Sequence, residues 1–148
     1  MPGTLLHENP AEHEFPRLVA IWRSAVDATH DFLASGDRDA IERALIPDYF
    51  PAVHLVSAKL DGQTVGFSGV ADGNLEMLFV DDAFRGRGVG GRLLAHAIAE
   101  RGVRRVDVNE QNTQAVAFYD HAGFRVRDRS ETDGAGRPYP ILHLELVQ

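Results

Sequence analysis

The sequence predicts a mixed α/β fold of the α+β kind, a twisted and mostly antiparallel sheet of about six to seven strands flanked by helices. Three observations predict it. Two Asp-Gly turns, Asp61-Gly62 and Asp72-Gly73, join three apolar runs into an antiparallel meander. A strand, a glycine-rich loop, a helix and another strand then follow within residues 75–108, and a crossover of that length makes its two strands parallel. Two further strand-like runs close the chain around the polar turn Asp133-Gly134-Ala135-Gly136. With 148 residues, 44% of them hydrophobic, the expectation is one domain over residues 1–148 with a core large enough to sustain it.

Taken in order, residues 3–7 predict a short strand that Asn9-Pro10 stops. Phe15, Leu18, Val19, Trp22, Ala25, Val26 and Thr29 recur at helical spacing, and Pro16 suits a first turn, so an amphipathic helix is predicted over 16–30. Ser35 or Asp37 is the expected cap of a second helix carrying Ile41, Leu45 and Ile46, which Pro47 ends or bends. Strands are predicted at 53–60, 64–71 and 75–80. In the third, Leu75, Met77 and Phe79 alternate with Glu76, Leu78 and Val80, an almost wholly apolar run of the type covered on both faces. Val89, Leu93, Leu94, Ala97 and Ile98 predict a helix with Arg92, His96 and Glu100 on its polar side, closed by Gly102. A short strand at 105–108 follows. Asn112 or Thr113 then caps a helix of two to three turns that Gly123 ends, and strands at 124–129 and 141–147 finish the sheet.

The glycine-rich loop is Arg85-Gly86-Arg87-Gly88-Val89-Gly90-Gly91. Without side chains in the way, its backbone N–H groups can converge at the positive end of the following helix, which predicts an anion site. The net charge is -7, from 15 basic and 22 acidic residues, yet Arg85, Arg87 and Arg92 gather at this one helix start. A phosphate-bearing ligand is expected there. Gly86-x-Gly88-x-x-Gly91 spells the dinucleotide fingerprint, with Asp107 about twenty residues on. In that fold, however, the first glycine directly follows the strand, and here residues 81–85 intervene. A P-loop would need Gly-Lys-Ser/Thr, which this region lacks.

Arg85-x-x-Gly88-x-Gly90 after an apolar strand, followed by Asn112-x-x-Ala115-x-x-Phe118-Tyr119-x-x-x-Gly123-Phe124, resembles the two signatures of the GNAT superfamily of acyl-CoA-dependent N-acetyltransferases. The resemblance runs from about residue 53 to the C-terminus. It implies that acetyl-CoA is the co-substrate and that Arg85, Gly86, Arg87, Gly88, Val89, Gly90 and Gly91 hold its pyrophosphate. It further implies that the backbone of Leu78, Phe79 and Val80 bonds the pantetheine arm, with Asn112 assigned to the same cofactor site. By the same resemblance Tyr119 stands beside the leaving sulfur.

Acetyl transfer needs a neutral amine and a stabilised thiolate. A phenol with a pKa near 10 can protonate a thiolate whose own pKa is about 8.5 while staying protonated at neutral pH, which makes Tyr119 the candidate general acid. The alternative is packing next to Phe118. Glu76, a carboxylate in an otherwise apolar strand, is the candidate general base if partial burial raises its pKa; the alternatives are a structural carboxylate paired with an arginine, an exposed edge residue, or ordered water as base. Asp107 and Asn109 share a face of the next strand by period two and rank behind Glu76. His30, at the end of the first helix, and Asn109 are candidate acceptor-binding residues, although His30 equally suits a cation at a helix C-terminus. Tyr139 and His143 fall near the acceptor end in the resemblance. His7-Glu8 and His13-Glu14 lack metal-ligand spacing, so no metal is expected.

The sequence has no cysteine, so a cysteinyl relay is excluded and direct attack by a bound amine in a ternary complex is expected. The acidic balance disfavours nucleic acid as a partner, and the absence of a long apolar run or signal-peptide pattern points to a cytoplasmic protein that does not engage membranes, a monomer or homodimer. The acceptor is expected to be a small-molecule or peptide amine. Two other classes compete: a non-catalytic acyl-CoA-binding sensor, and a dinucleotide-binding oxidoreductase.

Overall fold

A computed structural model describes residues 3–147. The elements are β1 (Leu5–Glu8), α1 (Phe15–Thr29), α2 (Ser35–Ala44), β2 (His54–Leu60), β3 (Gln63–Ala71), β4 (Asn74–Val80), α3 (Val89–Arg101), β5 (Arg105–Asn109), α4 (Thr113–His121), β6 (Phe124–Ser130) and β7 (Ile141–Leu146). All seven strands form one sheet in the order β1-β2-β3-β4-β5-β7-β6. Only β4 and β5 are parallel, as the crossover predicts.

The two sheet faces carry different cores. Leu18, Ile21, Trp22 and Val26 of α1 pack with Leu45, Phe50, Leu55 and Phe67 on one face, where Phe67 meets Phe50 edge-on at 5.7 Å. On the other face α3 and α4 bury Leu94, Ala97 and Tyr119 against Leu75, Val106, Val108, Phe124 and Leu144. Val89 and Leu93 continue that layer over Val56, Ala58 and Val65.

Two expectations change. Neither Ser35 nor Asp37 caps α2: both lie within it, and Ala34 at the cap has no side-chain acceptor, while Asp37 accepts from the Tyr139 hydroxyl. Pro47 bends the segment, in line with the expectation that it ends or bends the helix. The chain continues as a π turn over Leu45–Tyr49 and a 3₁₀ turn over Phe50–Ala52, an irregular stretch that accommodates two prolines and delivers Phe50 to the core. The regular alternation expected for β4 is also broken. Met77 pairs with Gly69 and Leu75 with Val70, so Glu76 is an extra residue in a β-bulge. The bulge inverts the strand's phase: Leu75 faces α3 and α4, whereas Met77 and Phe79 face α1. Among the described residues no helix is long and apolar enough to cross a membrane.

Candidate functional site

The site begins where β4 and β5 part. They pair only at Asn74↔Arg105 and Leu75↔Val106, after which β5 turns to β7 along its whole length. On its other edge β4 stays paired to β3 as far as Gly66↔Val80. The backbone of Leu78, Phe79 and Val80 therefore faces a wedge-shaped opening with no strand across it. An extended ligand carrying amides can satisfy such a free edge as an added strand would.

At the mouth of this opening lies the glycine loop. A 3₁₀ turn over Asp82–Phe84 separates it from β4, and Gly91 falls inside α3, which begins at Val89. That arrangement rules out the tight strand-to-helix turn of a dinucleotide fold. Gly88 is the residue before α3 and has φ +80, a left-handed conformation that glycine adopts without steric cost. Arg92 N–H donates to the Gly88 carbonyl at 3.0 Å, which starts the helical ladder and leaves the Val89, Gly90 and Gly91 amides without intrahelical acceptors. They are the donors expected for an anion.

The loop is anchored from below. The Asp81 carboxylate accepts from Arg17 at 2.9 Å, Ser24 at 3.1 Å and the Ala83 amide at 3.0 Å, tying the end of β4 to α1. Burial opposes ionisation of this carboxyl, but the Ala83, Arg17 and Ser24 bonds outweigh it and hold its pKa below the usual value. Nothing in the one-dimensional pattern paired Asp81 with Arg17, 64 positions away. The arginines differ in their engagements: Arg85 reaches Asp82 and Gln114, and Arg87 lies 5.5 Å over the Phe84 ring.

Helix α4 supplies the second wall. Asn112 caps it by accepting from the Ala115 amide at 3.2 Å, so this side chain is committed to the helix start. A Cβ built on Gly90 would lie 3.7 Å from Phe118 and 3.8 Å from Val80, which brings the loop, β4 and α4 together at one point. Between α3 and α4 an apolar hollow of about 480 Å³ is lined by Leu94, Ile98 and Phe118 among others. Tyr119 is only 6% exposed, packed edge-on against Phe118 and Phe124. Burial pushes its hydroxyl pKa well up, so the proton stays on oxygen. The buried side-chain atoms lacking partners among the described residues are Ser57 Oγ and His96 Nε2.

On the α1 side of the sheet, beyond the cover of α1 and α2, an open polar trough of about 630 Å³ is lined by Glu76, Asp107, His143, Asn74, Arg105 and Arg127, with others. The bulge turns Glu76 into this trough. It is exposed, so the partial burial expected of it is not found; Asn74 Nδ2 donates to its Oε2 instead. Asp107 joins it there. Asn109 does not line the trough, because its Oδ1 accepts from the Gln111 amide at 2.9 Å within its own turn. His143, whose spacing had suggested no role, bonds both Asp107 and Ser130 at 2.7 Å. The period-two register of β5 and β7 is what pairs them, and it becomes visible only once the strands are known to be neighbours.

His30 stands at the end of α1 near the β6–β7 connection. Thr29 spends its hydroxyl proton on the Ala25 carbonyl, so His30 Nδ1–H donates to Thr29 Oγ1 at 2.7 Å and Nε2 is left as an acceptor. Burial lowers the His30 pKa, which corrects the expectation of a helix-terminal cation. Its ring lies 5.1 Å from Phe32, which meets Tyr139 at 6.2 Å. Tyr139 accepts from the Ala34 amide at 3.0 Å and donates to Asp37, joining the α1–α2 and β6–β7 connections into one wall. The unfolded chain takes up a proton below about pH 6.5 that folded His30 resists. Its contribution to stability is therefore present above that pH and lost as pH falls through it. Urea midpoints between pH 7 and 5 should fall less steeply in His30→Gln than in the unsubstituted protein.

A family model described as Acetyltransferase (GNAT) domain matches residues 26–139. The peptidyl-lysine N-acetyltransferase YjaB of Salmonella typhimurium is 45% identical over 132 residues, 88% of this chain and 90% of its own. The solution structure of apo YjaB from Escherichia coli superposes with a TM-score of 0.89 at 40% identity, over 98% of both chains. PaiA N-acetyltransferase from Thermoplasma acidophilum, solved in complex with coenzyme A, shares the fold with a TM-score of 0.72 at 18% identity, covering 97% of this chain and 99% of that one.

Proposed function

We propose, since this chain belongs to the GNAT acetyltransferase family, that it moves an acetyl group from acetyl-CoA to the ε-amine of a peptidyl lysine by direct attack within a ternary complex. The observation that carries the reading is the opening between β4 and β5, bordered by the glycine loop on one side and by the acidic trough on the other. Acetyl-CoA would lay its pyrophosphate on the Val89, Gly90 and Gly91 amides and complete the free edge of Leu78 to Val80 with its pantetheine amides. When bound it supplies the thioester. Glu76 and Asp107 give the trough the negative charge that draws in an ammonium, and His30, Phe32 and Tyr139 wall the acceptor's entry. Tyr119 donates to the departing sulfur from the α4 side. The YjaB relative at 45% identity, a peptidyl-lysine N-acetyltransferase, supports a lysine acceptor; a small amine in its place is the alternative. Incubation with acetyl-CoA and lysine-containing peptides, read by thiol release and peptide mass, tests the assignment. Binding of acetyl-CoA with no thiol release above the hydrolysis background would instead favour a sensor.

Gly88→Val is expected to weaken acetyl-CoA binding tenfold or more, on the order of 1.4 kcal/mol, because a branched residue at φ +80 is strained and shifts the amides that meet the pyrophosphate. A Cβ there meets nothing within 4 Å, so the fold should persist. Calorimetry on the folded variant checks this, and a salt series adds a second reading: affinity should fall modestly with ionic strength if Arg85, Arg87 and Arg92 assist from the surface. Unchanged affinity in Gly88→Val would remove the loop from the site.

A further inference from the structure

We infer that Asp81, held by Arg17 and Ser24 of α1, is a positioning residue for acetyl-CoA that fixes the free edge of β4 relative to the amides opening α3; this rests on the acetyltransferase reading. Beyond the Leu75↔Val106 pair β4 has a neighbour on one side only. Val80 pairs with Gly66, and the Asp81 amide donates to the Val65 carbonyl at 2.8 Å. A strand end bonded along one edge frays more readily than one bonded along two. A ligand that meets this edge and the Val89, Gly90 and Gly91 amides at once needs the distance between them held.

Helix α1 supplies that hold. Arg17 and Ser24 lie seven residues apart, about two helical turns, and so share one face. Arg17 Nε donates to the Thr64 carbonyl and its Nη2 to Asp81 Oδ2, both at 2.9 Å, so one guanidinium joins the start of β3 to the end of β4. Ser24 Oγ donates to Asp81 Oδ1 at 3.1 Å and accepts from the Asp82 amide at 3.0 Å. The Ala83 amide donates to the same Asp81 oxygen at 3.0 Å, which sets the 3₁₀ turn over Asp82–Phe84. From the opposite layer, Arg85 donates to Asp82 Oδ1 at 3.1 Å and to Gln114 of α4. The turn between the β4 edge and the glycine loop is thereby braced from both faces of the sheet.

Past the turn, the start of α3 is fixed separately by Val89 and Leu93, buried over Val56, Ala58 and Val65. Only the exposed residues Arg85 to Gly88 join the two ends. Without the brace, the β4 edge and the α3 amides shift independently, and a ligand that bridges them must order both, which subtracts from its affinity. Each Asp81 oxygen already has its donors within the protein, so this carboxylate acts through the backbone it holds and not by contact with the cofactor. Charge and position predict opposite signs. Acetyl-CoA is an anion, so by charge alone neutralising a carboxylate one residue past its binding edge strengthens binding; loss of positioning weakens it.

The test compares the full wild-type chain with Asp81→Asn, Ser24→Ala and Ser24→Thr, measuring acetyl-CoA affinity by calorimetry, steady-state constants with a lysine peptide, and melting temperature. Asp81→Asn keeps the shape but replaces one acceptor oxygen with a donor amino group, so it cannot serve Arg17 and the Ala83 amide together. Its acetyl-CoA Kd should rise by about fivefold or more, while the KM for peptide stays within about twofold. Ser24→Ala, which changes no charge, should weaken acetyl-CoA by about threefold or more, and Ser24→Thr, which keeps the hydroxyl, should restore it. A purely structural role would lower the melting temperature and leave acetyl-CoA affinity of the folded variants unmoved. If Asp81→Asn binds acetyl-CoA within about twofold of wild type, or more tightly, the positioning role is wrong while the acetyltransferase reading stands. Should that variant fail to fold, the Ser24→Ala and Ser24→Thr pair carries the same comparison. A wild-type chain that binds no acetyl-CoA overturns both readings.

Discussion

Tyr119→Phe is expected to slow acetyl transfer by about a hundredfold to ten-thousandfold, roughly 3 to 5 kcal/mol in the barrier, while acetyl-CoA affinity stays nearly the same. The substitution deletes one hydroxyl and keeps the ring against Phe118 and Phe124, so packing is preserved. Burial raises the phenol pKa, which keeps the donor protonated across the working range. No alkaline loss of activity from Tyr119 should therefore appear below its ordinary value near 10. The same shift makes it a weaker acid than a solvent phenol, so in the proposed role its contribution would concentrate in the hydrogen bond to a sulfur that is gaining charge. Removing that bond acts on the transition state and lowers kcat more than it raises KM. Single-turnover acetylation of a lysine peptide measures the effect. A Tyr119→Phe variant at near-full speed, with chemistry rate-limiting, would leave Tyr119 a core residue and assign thiolate protonation to water.

The sheet was legible because each of its connections has a local cause. Asp61-Gly62 and Asp72-Gly73 turn the chain at positive φ, and Gly102 and Gly123 adopt left-handed conformations after α3 and α4. Hidden from the pattern were the features that depend on a neighbour. Whether Leu75 and Met77 share a face was decided by the Glu76 bulge, which arises from pairing with Gly69 and Val70. The bond from the Tyr139 hydroxyl to Asp37, 102 positions away, was hidden for the same reason.

The site divides along the same line. The glycine loop's geometry could be read from residues adjacent in sequence, because its converging amides belong to one continuous stretch of backbone. The trough could not, because Glu76, Asp107 and His143 come from three different strands. Glu76 drew attention as a charge in an apolar run, yet it gained exposure from the bulge and not the burial expected of a base. His143 drew little, and its partners became evident only from the β5–β7–β6 order at the sheet's end.

Phe67→Ala is expected to cost about 3 to 5 kcal/mol of folding stability, a large share of the roughly 5 to 15 kcal/mol typical of a domain. Phe67 is fully buried at the centre of β3 and meets Phe50 and Phe79 at ring-centroid distances of 5.7 Å each. It thus holds the irregular segment after α2 on one side and the free edge of β4 on the other. Its neighbour Gly66 carries α3 at close range, since a Cβ there would come 3.1 Å from Val89 and from the Phe79 carbonyl, so the walls around Phe67 have little freedom to collapse into a cavity. For a chain of this size the loss corresponds to a fall in Tm of roughly 6 to 20 °C. Val126→Ala, at an apolar position 54% exposed on β6, should change stability by no more than about 0.5 kcal/mol and serves as the control. Urea unfolding of the two variants distinguishes a core that supports β4 from one that merely fills space: in the first case acetyl-CoA affinity of Phe67→Ala also drops at temperatures where it remains folded, and in the second only the midpoint moves.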